Sequence, residues 1–248
     1  MGVKFILLGD ENQLQAIGDC FQGRPCYLKF GSAMLRALAG SNRLVLTEGR
    51  RSDMNLFGFY QKLSLGGDYH SLPLGEQIQL AREAFPKQPR DAKFNLVISH
   101  RQREQLIREI QNRELARKRA EGAECVVLAP SYSGGANRAQ ELWLWKSKVL
   151  ISTATCRGIY NSQLLEVVSI GLDTVSFENF ENGEPVTLSH ATVAKHLRDS
   201  AALTYASVQG RGFSDTLGLW TQSPRMTSKH LFMGLSRARS SDKVWICD

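Results

Sequence analysis

The stretch "FILLGDENQLQAIG", residues 5–18, begins as an apolar run and continues into a glycine followed by acidic and amide side chains. A continuous apolar run that stops at Gly-Asp is typical of a strand buried on both faces of a parallel sheet. In α/β proteins such a strand carries the residues after it to the edge where ligands bind. Two hypotheses follow. Asp10 and Glu11 are an acidic pair that holds Mg²⁺, or the segment lies beside such a pair.

The magnesium hypothesis needs a second element in the same sequence. An acidic strand of this kind works with a loop of the form G-x-x-x-x-G-K-[ST], whose backbone N–H groups and lysine hold phosphates. No Gly-Lys dipeptide occurs in the 248 residues, so the acidic pair would have no phosphate-bound metal to hold here. The alternative gives weight to Gln13, because an amide just beyond a strand can contact a γ-phosphate or orient the attacking water.

Composition limits the class of protein. Hydrophobic residues make up 42% and charged residues 22% of the sequence, which is ordinary for a globular domain. The five cysteines are an odd number without metal-ligand pairs, which predicts reduced thiols in an intracellular protein and does not choose among nuclear, cytoplasmic and viral sites. No apolar run approaches the roughly 20 residues of a membrane span, so we expect no membrane partner. The net charge of +7 favours a polyanionic partner.

Apolar runs and turn signals alternate along most of the chain. We predict strands at residues 3–8, 43–47, 95–99, 201–205 and 244–247, and helices at 32–39, 56–65, 75–84 and 101–120. This alternation predicts an α/β fold with a parallel sheet. Between residues 148 and 188 the pattern changes to four short β segments separated by glycine and asparagine turns. Several short strands at this spacing predict a small antiparallel barrel.

The helix predicted at 101–120 is rich in arginine, which raises the question of a nucleic-acid surface. Three acidic residues each precede a basic residue by four positions, the favourable order for ion pairs on a helix. These pairs are Glu104–Arg108, Glu109–Arg113 and Glu114–Lys118. The spacing therefore predicts a solvated face covered by ion pairs, with Leu106, Ile107 and Ile110 on the buried side.

Three further segments add chemistry to the opening stretch. "LVLTEGRRSD", residues 44–53, leads from an apolar run into two arginines, and "HLFMGLSRARSSDKVWICD", residues 230–248, brings Arg237 and Arg239 together. The third segment, "LTYASVQGRGFSD", covers residues 203–215. An arginine placed against a γ-phosphate stabilises the charge of the transition state. Each segment alone is compatible with solvated side chains, but their succession is more specific.

Taken in their order along the chain, the opening stretch and these segments resemble the later motifs of superfamily 1 helicases, over nearly the whole chain. "GDENQL" resembles the third motif of that family and "TEGRRS" the arginine-bearing segment after it. "LVISHRQREQLIREIQN" is similar to the opening of the second motor lobe, "TYASVQG" to the T-x-x-x-x-Q-G motif, and "MGLSRAR" to the final motif. The β-rich insertion before "TYASVQG" is similar to that of the RecD-like, 5′-to-3′ branch.

The resemblance implies a RecA-like fold of the P-loop NTPase type, with a parallel sheet, helices on both faces and a small β-barrel insertion. Residues 1–65 would be the C-terminal part of the first RecA-like lobe, and residues 66–93 a connection. Residues 94–142 and 191–248 would form the second lobe, and residues 143–190 the barrel. The phosphate loop and the Mg²⁺-holding strand would precede these residues.

The resemblance also assigns the nucleotide chemistry. It implies that Gln13 is the γ-phosphate sensor and that Asp10 shapes its turn. Arg51 and Arg237 would be the two arginine fingers, so that Gln13, Arg51 and Arg237 are the expected catalytic residues. We prefer Arg51 to Arg50 because a serine follows it, as is common in the family.

The remaining site residues are implied by the same motifs. Gln209 and Gly210 would bind nucleotide at the lobe interface, and Thr204 would help to couple the nucleotide to the nucleic-acid strand. Ser99 and Arg101 would contact the nucleic-acid backbone, although a helix cap at Ser99 is an equal alternative.

Some residues depart from the family pattern. Ala206, Ser207 and Val208 stand where a His and a Lys or Ser are usual, and Gly212 stands in place of an acidic residue, which weakens the expected DNA and ribose contacts of this motif. Three aromatic side chains in or beside the insertion are candidates for stacking on bases, with core packing as the alternative. They are Trp143, Trp145 and Tyr160.

The function implied is the C-terminal motor portion of an ATP-dependent DNA helicase, which couples ATP hydrolysis to translocation on single-stranded DNA and duplex unwinding. ATP and Mg²⁺ would both need residues absent from this sequence, supplied by a missing N-terminal motor half in cis or in trans. We therefore expect no hydrolysis by this chain alone. One alternative is a non-catalytic remnant that binds single-stranded nucleic acid, DNA or RNA. Another is a degenerate fragment without independent function.

Overall fold

The computed structural model describes residues 9–10, 12–14, 20–21, 24–25, 33–40, 42, 44, 48–85, 92–130, 141–156 and 158–248. The strands predicted at 3–8 and 43–47 lie outside these residues, apart from the single position Leu44. The chain separates into two compact units. Unit 1 comprises Met1–Ile98 and Thr204–Asp248, and unit 2 comprises Ser99–Leu203.

Helices and short strands alternate along the chain. The helices are α1 (Ala33–Leu38), α2 (Met54–Leu63), α3 (Leu74–Ala84), α4 (His100–Ala120), α5 (His190–His196) and α6 (Ser228–Leu235). The strands are β1 (Cys20–Phe21), β2 (Arg24–Pro25), β3 (Phe94–Val97), β4 (Val126–Leu128), β5 (Leu142–Leu144), β6 (Val149–Ser152), β7 (Leu164–Ile170), β8 (Thr174–Asn179), β9 (Pro185–Ser189), β10 (Leu197–Asp199), β11 (Ala202–Thr204), β12 (Leu217–Trp220) and β13 (Val244–Cys247). In the described part of the chain, no helix combines the length and the apolar character needed to cross a bilayer.

Unit 1 contains a parallel sheet. Its strands β3 and β13 lie on either side of β12, which runs parallel to both. All four residues of β3 are buried, as expected of a strand covered on both faces. Helices α3 and α6 pack against β13 and β12 respectively. The predicted α/β class with a parallel sheet is confirmed.

Helix α6 carries the start of the final motif and lies very close to the sheet. A Cβ atom at Gly234 would come within 2.8 Å of Tyr205 Cε1 and 3.0 Å of Leu219 Cδ2, so only glycine fits this approach. On another side of the helix, the ring of Phe232 meets the edge of Tyr60 of α2 at 5.4 Å between centroids. The helix thus holds residues 236–239 against the body of unit 1.

Unit 2 is built on antiparallel strands. Five of them form a sheet in the order β10-β6-β7-β8-β9, and β4 pairs with β5 in a separate ribbon. Leu144, Leu150, Leu165 and Phe177 are among the buried side chains of its core. The short strands predicted between residues 148 and 188 are confirmed as β6 to β9. Closure of this sheet into a barrel stays a prediction, as do the predicted domain boundaries.

Helix α4 begins and packs as the sequence suggests. Ser99 is its N-cap, and its hydroxyl oxygen accepts a hydrogen bond of 3.1 Å from the Gln102 N–H. Leu106 and Ile107 are buried, whereas Ile110 is only half-buried. The helix therefore presents a narrower apolar face than predicted.

The ion pairs of α4 differ from those predicted. Two predicted pairs, Glu104–Arg108 and Glu114–Lys118, are not formed. Glu104 contacts its sequence neighbour, whereas Glu114 and Lys118 contact residues three positions away, which on a helix are as close as residues four positions away. The observed contacts are Glu104–Arg103 (3.9 Å), Glu114–Arg117 and Lys118–Glu121 (2.8 Å). Arg108 is exposed, and no described carboxylate lies within salt-bridge distance of it.

Candidate phosphate-binding site

The turn at residues 10–13 is organised by one carboxylate. Asp10 Oδ1 accepts a hydrogen bond from the backbone N–H of Asn12 at 3.0 Å, and Oδ2 accepts one from Gln13 Nε2 at 3.2 Å. The Gln13 N–H also donates to the Asp10 carbonyl at 3.3 Å. Aspartate favours such turns because its short side chain reaches the backbone two residues ahead. Asp10 therefore fixes both the backbone and the amide of Gln13.

A residue from the other end of the sequence joins this turn. Gln209 Nε2 donates a 2.8 Å hydrogen bond to the carbonyl of Leu14, across 195 positions of sequence. Gly210, which follows, has a φ of 81°, in the left-handed region that favours glycine. The "QG" of one motif thus contacts the "QL" of another within unit 1.

Arg237 lies behind this turn in the interior of unit 1, with 3% of its surface exposed. Its Nη1 donates to the Arg211 carbonyl at 3.2 Å and its Nη2 to Ser236 Oγ at 3.0 Å. Its Nε lies 3.3 Å from the Met233 carbonyl. All of these acceptors are neutral, and among the described residues no carboxylate is within salt-bridge distance of the guanidinium. One N–H on each terminal nitrogen is not used by these bonds.

The electrostatic environment of Arg237 is unfavourable to its charge. Burial is the largest cause that lowers the pKa of Arg237, to about 10, and the nearby positive charge of Arg51 acts in the same direction, while Asp10 and Tyr60 act in the opposite direction. At neutral pH the guanidinium is still protonated, so Arg51 and Arg237 are two cations close together, with the exposed carboxylate of Asp10 near them. An anion bound between them would stabilise this arrangement.

The two adjacent arginines of the "GRRS" segment have different surroundings. The side chain of Arg51 passes Gly212, with Arg51 Cδ 3.7 Å from the position that a Cβ at Gly212 would occupy. Arg50 points its guanidinium to Glu48, at 3.6 Å, and both side chains are largely exposed. Arg51 is also exposed, and its assignment as the site residue stays a prediction.

Two residues that the sequence analysis did not assign hold the two arginine segments together. Ser52 Oγ donates to the Ala238 carbonyl at 2.8 Å, and the Asp53 N–H donates to the Arg239 carbonyl at 2.9 Å. Because Ser52 follows Arg51 and Ala238 follows Arg237, these bonds fix the spacing of the two arginines. We call this pair of bonds the Ser52–Asp53 clamp.

The Asp53 carboxylate strengthens the clamp. It caps α2 by accepting a 2.8 Å bond from the Leu56 N–H, and it also accepts one from the Ser241 N–H. Burial acts to raise the pKa of Asp53, but these hydrogen bonds outweigh it and the pKa is lowered. The contact with Ser241 joins residues 188 positions apart, so local sequence does not indicate it.

The residues predicted to contact nucleic acid belong to different units of the chain. Thr204 is buried in unit 1, and its hydroxyl accepts a 3.3 Å bond from the Ser207 N–H at the start of a 3₁₀ turn. Ser99 and Arg101 belong to unit 2, where Ser99 caps α4 and Arg101 is exposed. Contact of these three residues with nucleic acid stays a prediction.

The donor set of unit 1 fits a terminal phosphate better than a metal. Guanidinium N–H groups and an amide are typical ligands of phosphate oxygens. Among the residues that the structure describes, no group of three or more His, Cys, Asp or Glu side chains is placed to hold a metal ion. Both oxygens of Asp10 already accept hydrogen bonds. The described donors of unit 1 therefore fit the oxygens of a phosphate group.

Comparison with known proteins defines the fold. No family model matches the sequence, and a search of curated proteins finds no match. Among solved structures, the Pif1 helicase from Candida albicans aligns with 97% of this chain and 63% of its own, at 14% identity and a TM-score of 0.62. The Bacteroides Pif1 helicase in complex with ADP-AlF₃ and ssDNA aligns with 96% of this chain and 60% of its own, at 15% identity and a TM-score of 0.57.

The chain has a fold similar to that of these two solved structures. A third structure, Bacteroides Pif1 bound to ssDNA, agrees, with 81% of this chain aligned at 12% identity and a TM-score of 0.52. The chain spans 50% to 63% of the length of these three structures. At such identities the likeness defines the fold alone.

Proposed function

We propose that this chain is the C-terminal motor portion of an ATP-dependent DNA helicase of the RecD-like, 5′-to-3′ branch. In the complete motor, ATP hydrolysis drives translocation on single-stranded DNA and duplex unwinding. The similar fold of Pif1 helicases supports this proposal, and the ADP-AlF₃ and ssDNA in one of those structures support the two ligands.

The observation that carries the proposal is the convergence of four separate motifs in unit 1. Gln13, Arg51, Gln209 and Arg237 come from widely spaced segments, and Arg237 is a buried cation beside a second cation without a paired carboxylate. Arg51 and Arg237 are two positive charges held close together. A γ-phosphate accounts for both.

Each residue then has a role in this site. Arg51 and Arg237 stabilise the charge that develops on the γ-phosphate, and Gln13, held by Asp10, orients the attacking water or senses the phosphate. Gln209 and Gly210 connect this site to the segment that begins at Thr204. A phosphate loop and an acidic Mg²⁺ strand are not in this sequence. They would come from another segment in cis or from a partner in trans, and the chain alone does not hydrolyse ATP.

The proposal is tested by titrating the purified chain with inorganic tripolyphosphate and following heat release or intrinsic tryptophan fluorescence. We expect Arg51→Ala and Arg237→Ala each to weaken binding by about tenfold or more, since each removes a charge-assisted contact. Arg50→Ala is the matched control, because it removes the same charge from the neighbouring position, and we expect no change.

Two outcomes would contradict the proposal. The wild-type chain would fail to bind tripolyphosphate, or Arg50→Ala would weaken binding as much as Arg51→Ala does. DNA-stimulated ATP turnover by the chain alone, abolished by Arg237→Ala, would show instead that no other segment is needed.

A non-catalytic nucleic-acid-binding remnant is the second candidate, favoured by the net charge of +7. It predicts binding to single-stranded oligonucleotides that weakens with salt and is insensitive to tripolyphosphate and to Arg237→Ala. Matched DNA and RNA oligonucleotides in the same assay would define which nucleic acid is preferred.

A further inference from the structure

We propose that the outer face of helix α4 is a binding surface for the phosphate backbone of a nucleic acid, separate from the candidate nucleotide site. Its core is the α4 arginine stripe, which consists of Arg101, Arg108 and Arg119. Trp143 of β5 lies at one end of it. This inference concerns unit 2 alone and does not depend on the nucleotide chemistry of unit 1.

The three arginines lie on one line along the helix. With 3.6 residues per turn, positions 101, 108 and 119 point in the same direction to within about 20°. Their span is about 27 Å at a rise of about 1.5 Å per residue. All three side chains are exposed. The stripe is therefore long, straight and accessible.

The stripe contains no acidic residue. The exposed positions between its arginines on the same face are Gln105, Asn112 and Ala116. Of the carboxylates expected to neutralise the helix, Glu104 contacts Arg103, and Glu109 accepts a 3.1 Å bond from Gln105 rather than pairing with a stripe arginine. Within the described parts of the chain, no ion pair involves Arg101, Arg108 or Arg119. The solvated, neutralised face predicted from the sequence is not what these positions form.

The end of the stripe is held in place by an aromatic ring. The Arg119 guanidinium lies 5.2 Å from the centre of the Trp143 ring, and Trp143 Nε1 donates to Glu141 Oε1 at 2.8 Å. The carboxylate of Glu141 is thus bonded to the indole. A cation–π contact of this kind orients the guanidinium while leaving its N–H edge available, which lowers the entropy lost on binding.

An extended polyanion is the ligand that fits this surface. One strand of a nucleic-acid duplex carries a phosphate about every 3.4 Å, so a length of about 27 Å faces about eight of them. Arginine forks match phosphate oxygens, and contacts of this type do not read sequence. A small anion could engage only one of three guanidiniums spread this far along a convex helix.

The test uses the whole 248-residue chain, without nucleotide, and fluorescently labelled DNA as a single strand and as a duplex. We compare wild type with the triple variant Arg101→Gln, Arg108→Gln, Arg119→Gln. The matched control, Arg50→Gln, Arg113→Gln, Arg117→Gln, loses the same charge at exposed positions outside the stripe. Glutamine is a good helix former, so α4 is retained, which circular dichroism checks.

We expect wild type to bind both DNAs, and the stripe variant to bind at least about tenfold more weakly at low salt. Each lost phosphate contact lowers the slope of log affinity against log salt by about 0.7 to 0.9. Loss of all three contacts lowers it by about two to three. The control should keep the wild-type slope. Arg108→Gln alone, at the centre of the stripe, should lower it by about one.

Equal losses in the stripe and control variants would overturn the proposal, because net charge alone would then explain binding. It would also be overturned if the stripe variant bound DNA normally but lost binding to vesicles containing anionic lipid. Tripolyphosphate binding is measured separately on the same stripe variant, so a failure of the nucleotide proposal is recognised independently.

Discussion

Lys148 of unit 2 and Arg237 of unit 1 are buried cations with opposite surroundings. A third buried cation, Arg198 of unit 2, resembles Arg237 in that it bonds to carbonyl oxygens and has another arginine, Arg103, nearby. In unit 2, Lys148 is 7% exposed, and its Nζ lies 2.6 Å from a carboxylate oxygen of Asp199, which is 2% exposed. Lys148 also lies over the Trp145 ring at 4.4 Å. In unit 1, Arg237 is 3% exposed and bonds only to neutral acceptors, with Arg51 nearby.

The comparison separates a structural charge from a charge available to a ligand. Burying an ion is costly unless a counter-ion is in place, and in unit 2 the chain supplies that counter-ion itself. In unit 1 it supplies a second cation instead. The second arrangement is maintained by the Ser52–Asp53 clamp, and a bound phosphate would complete it.

The largest loss of stability is expected from breaking the ion pair between Lys148 and Asp199. Asp199→Ala leaves Lys148 buried without its partner, which we expect to lower the free energy of unfolding by about 3–5 kcal/mol. Denaturant unfolding monitored by tryptophan fluorescence measures this change.

Glu114→Ala is the control for that variant, because it breaks a pair with Arg117 whose two side chains are 23% and 59% exposed. Exposed pairs contribute at most about 1 kcal/mol. If Asp199→Ala costs no more than Glu114→Ala, the Lys148–Asp199 pair is not structural.

The second-largest loss of stability is expected from a substitution on α6, the helix that precedes Arg237. Gly234→Ala places a methyl group 2.8 Å from Tyr205 Cε1, so we expect a loss of about 1–3 kcal/mol from overpacking. Gly58→Ala on α2, where a Cβ would meet nothing within 4 Å, should instead stabilise by about 0.5–1 kcal/mol. Equal thermal shifts for the two variants would show that α6 does not need its close approach to the sheet.

A smaller change in stability is expected from removing the charge of Arg237. Arg237→Met should change the free energy of unfolding by less than about 1 kcal/mol, because an apolar side chain in place of a strained buried charge is often neutral. Tripolyphosphate should raise the melting temperature of wild type and not that of the variant. A loss comparable with that of Asp199→Ala would show that Arg237 is structural.

The smallest effect is a pH dependence at His230, whose ring contacts Tyr205 and bonds to Thr227 Oγ1 at 2.7 Å. Burial lowers the pKa of His230 below 6.5, so the unfolded chain binds the proton more tightly. This residue's contribution is complete at neutral pH and is lost as the pH falls through 6.5 towards the folded pKa. His230→Gln should have a flatter stability profile between about pH 7.5 and about pH 5. Parallel profiles would contradict this.

The sequence by itself determined the elements whose signals are local. The strand predicted at 164–170 is β7 and that at 244–247 is β13, while the helices predicted at 75–84 and 101–120 each begin one residue earlier, as α3 and α4. Apolar periodicity, caps and turn residues act over a few positions, so the sequence contains the information for them. Motif order also indicated the fold class.

Only the tertiary structure decided which charges meet. Both bonds of the Ser52–Asp53 clamp join residues 186 positions apart, and the closeness of Arg51 to Arg237 follows from it. On α4 several acidic and basic residues have spacings at which an ion pair can form. Side-chain rotamers and neighbouring elements determine which pairs form, and the arginines of the stripe form none with the described residues. Pairings of this kind depend on the packing of distant segments and on small energy differences, and local sequence encodes neither.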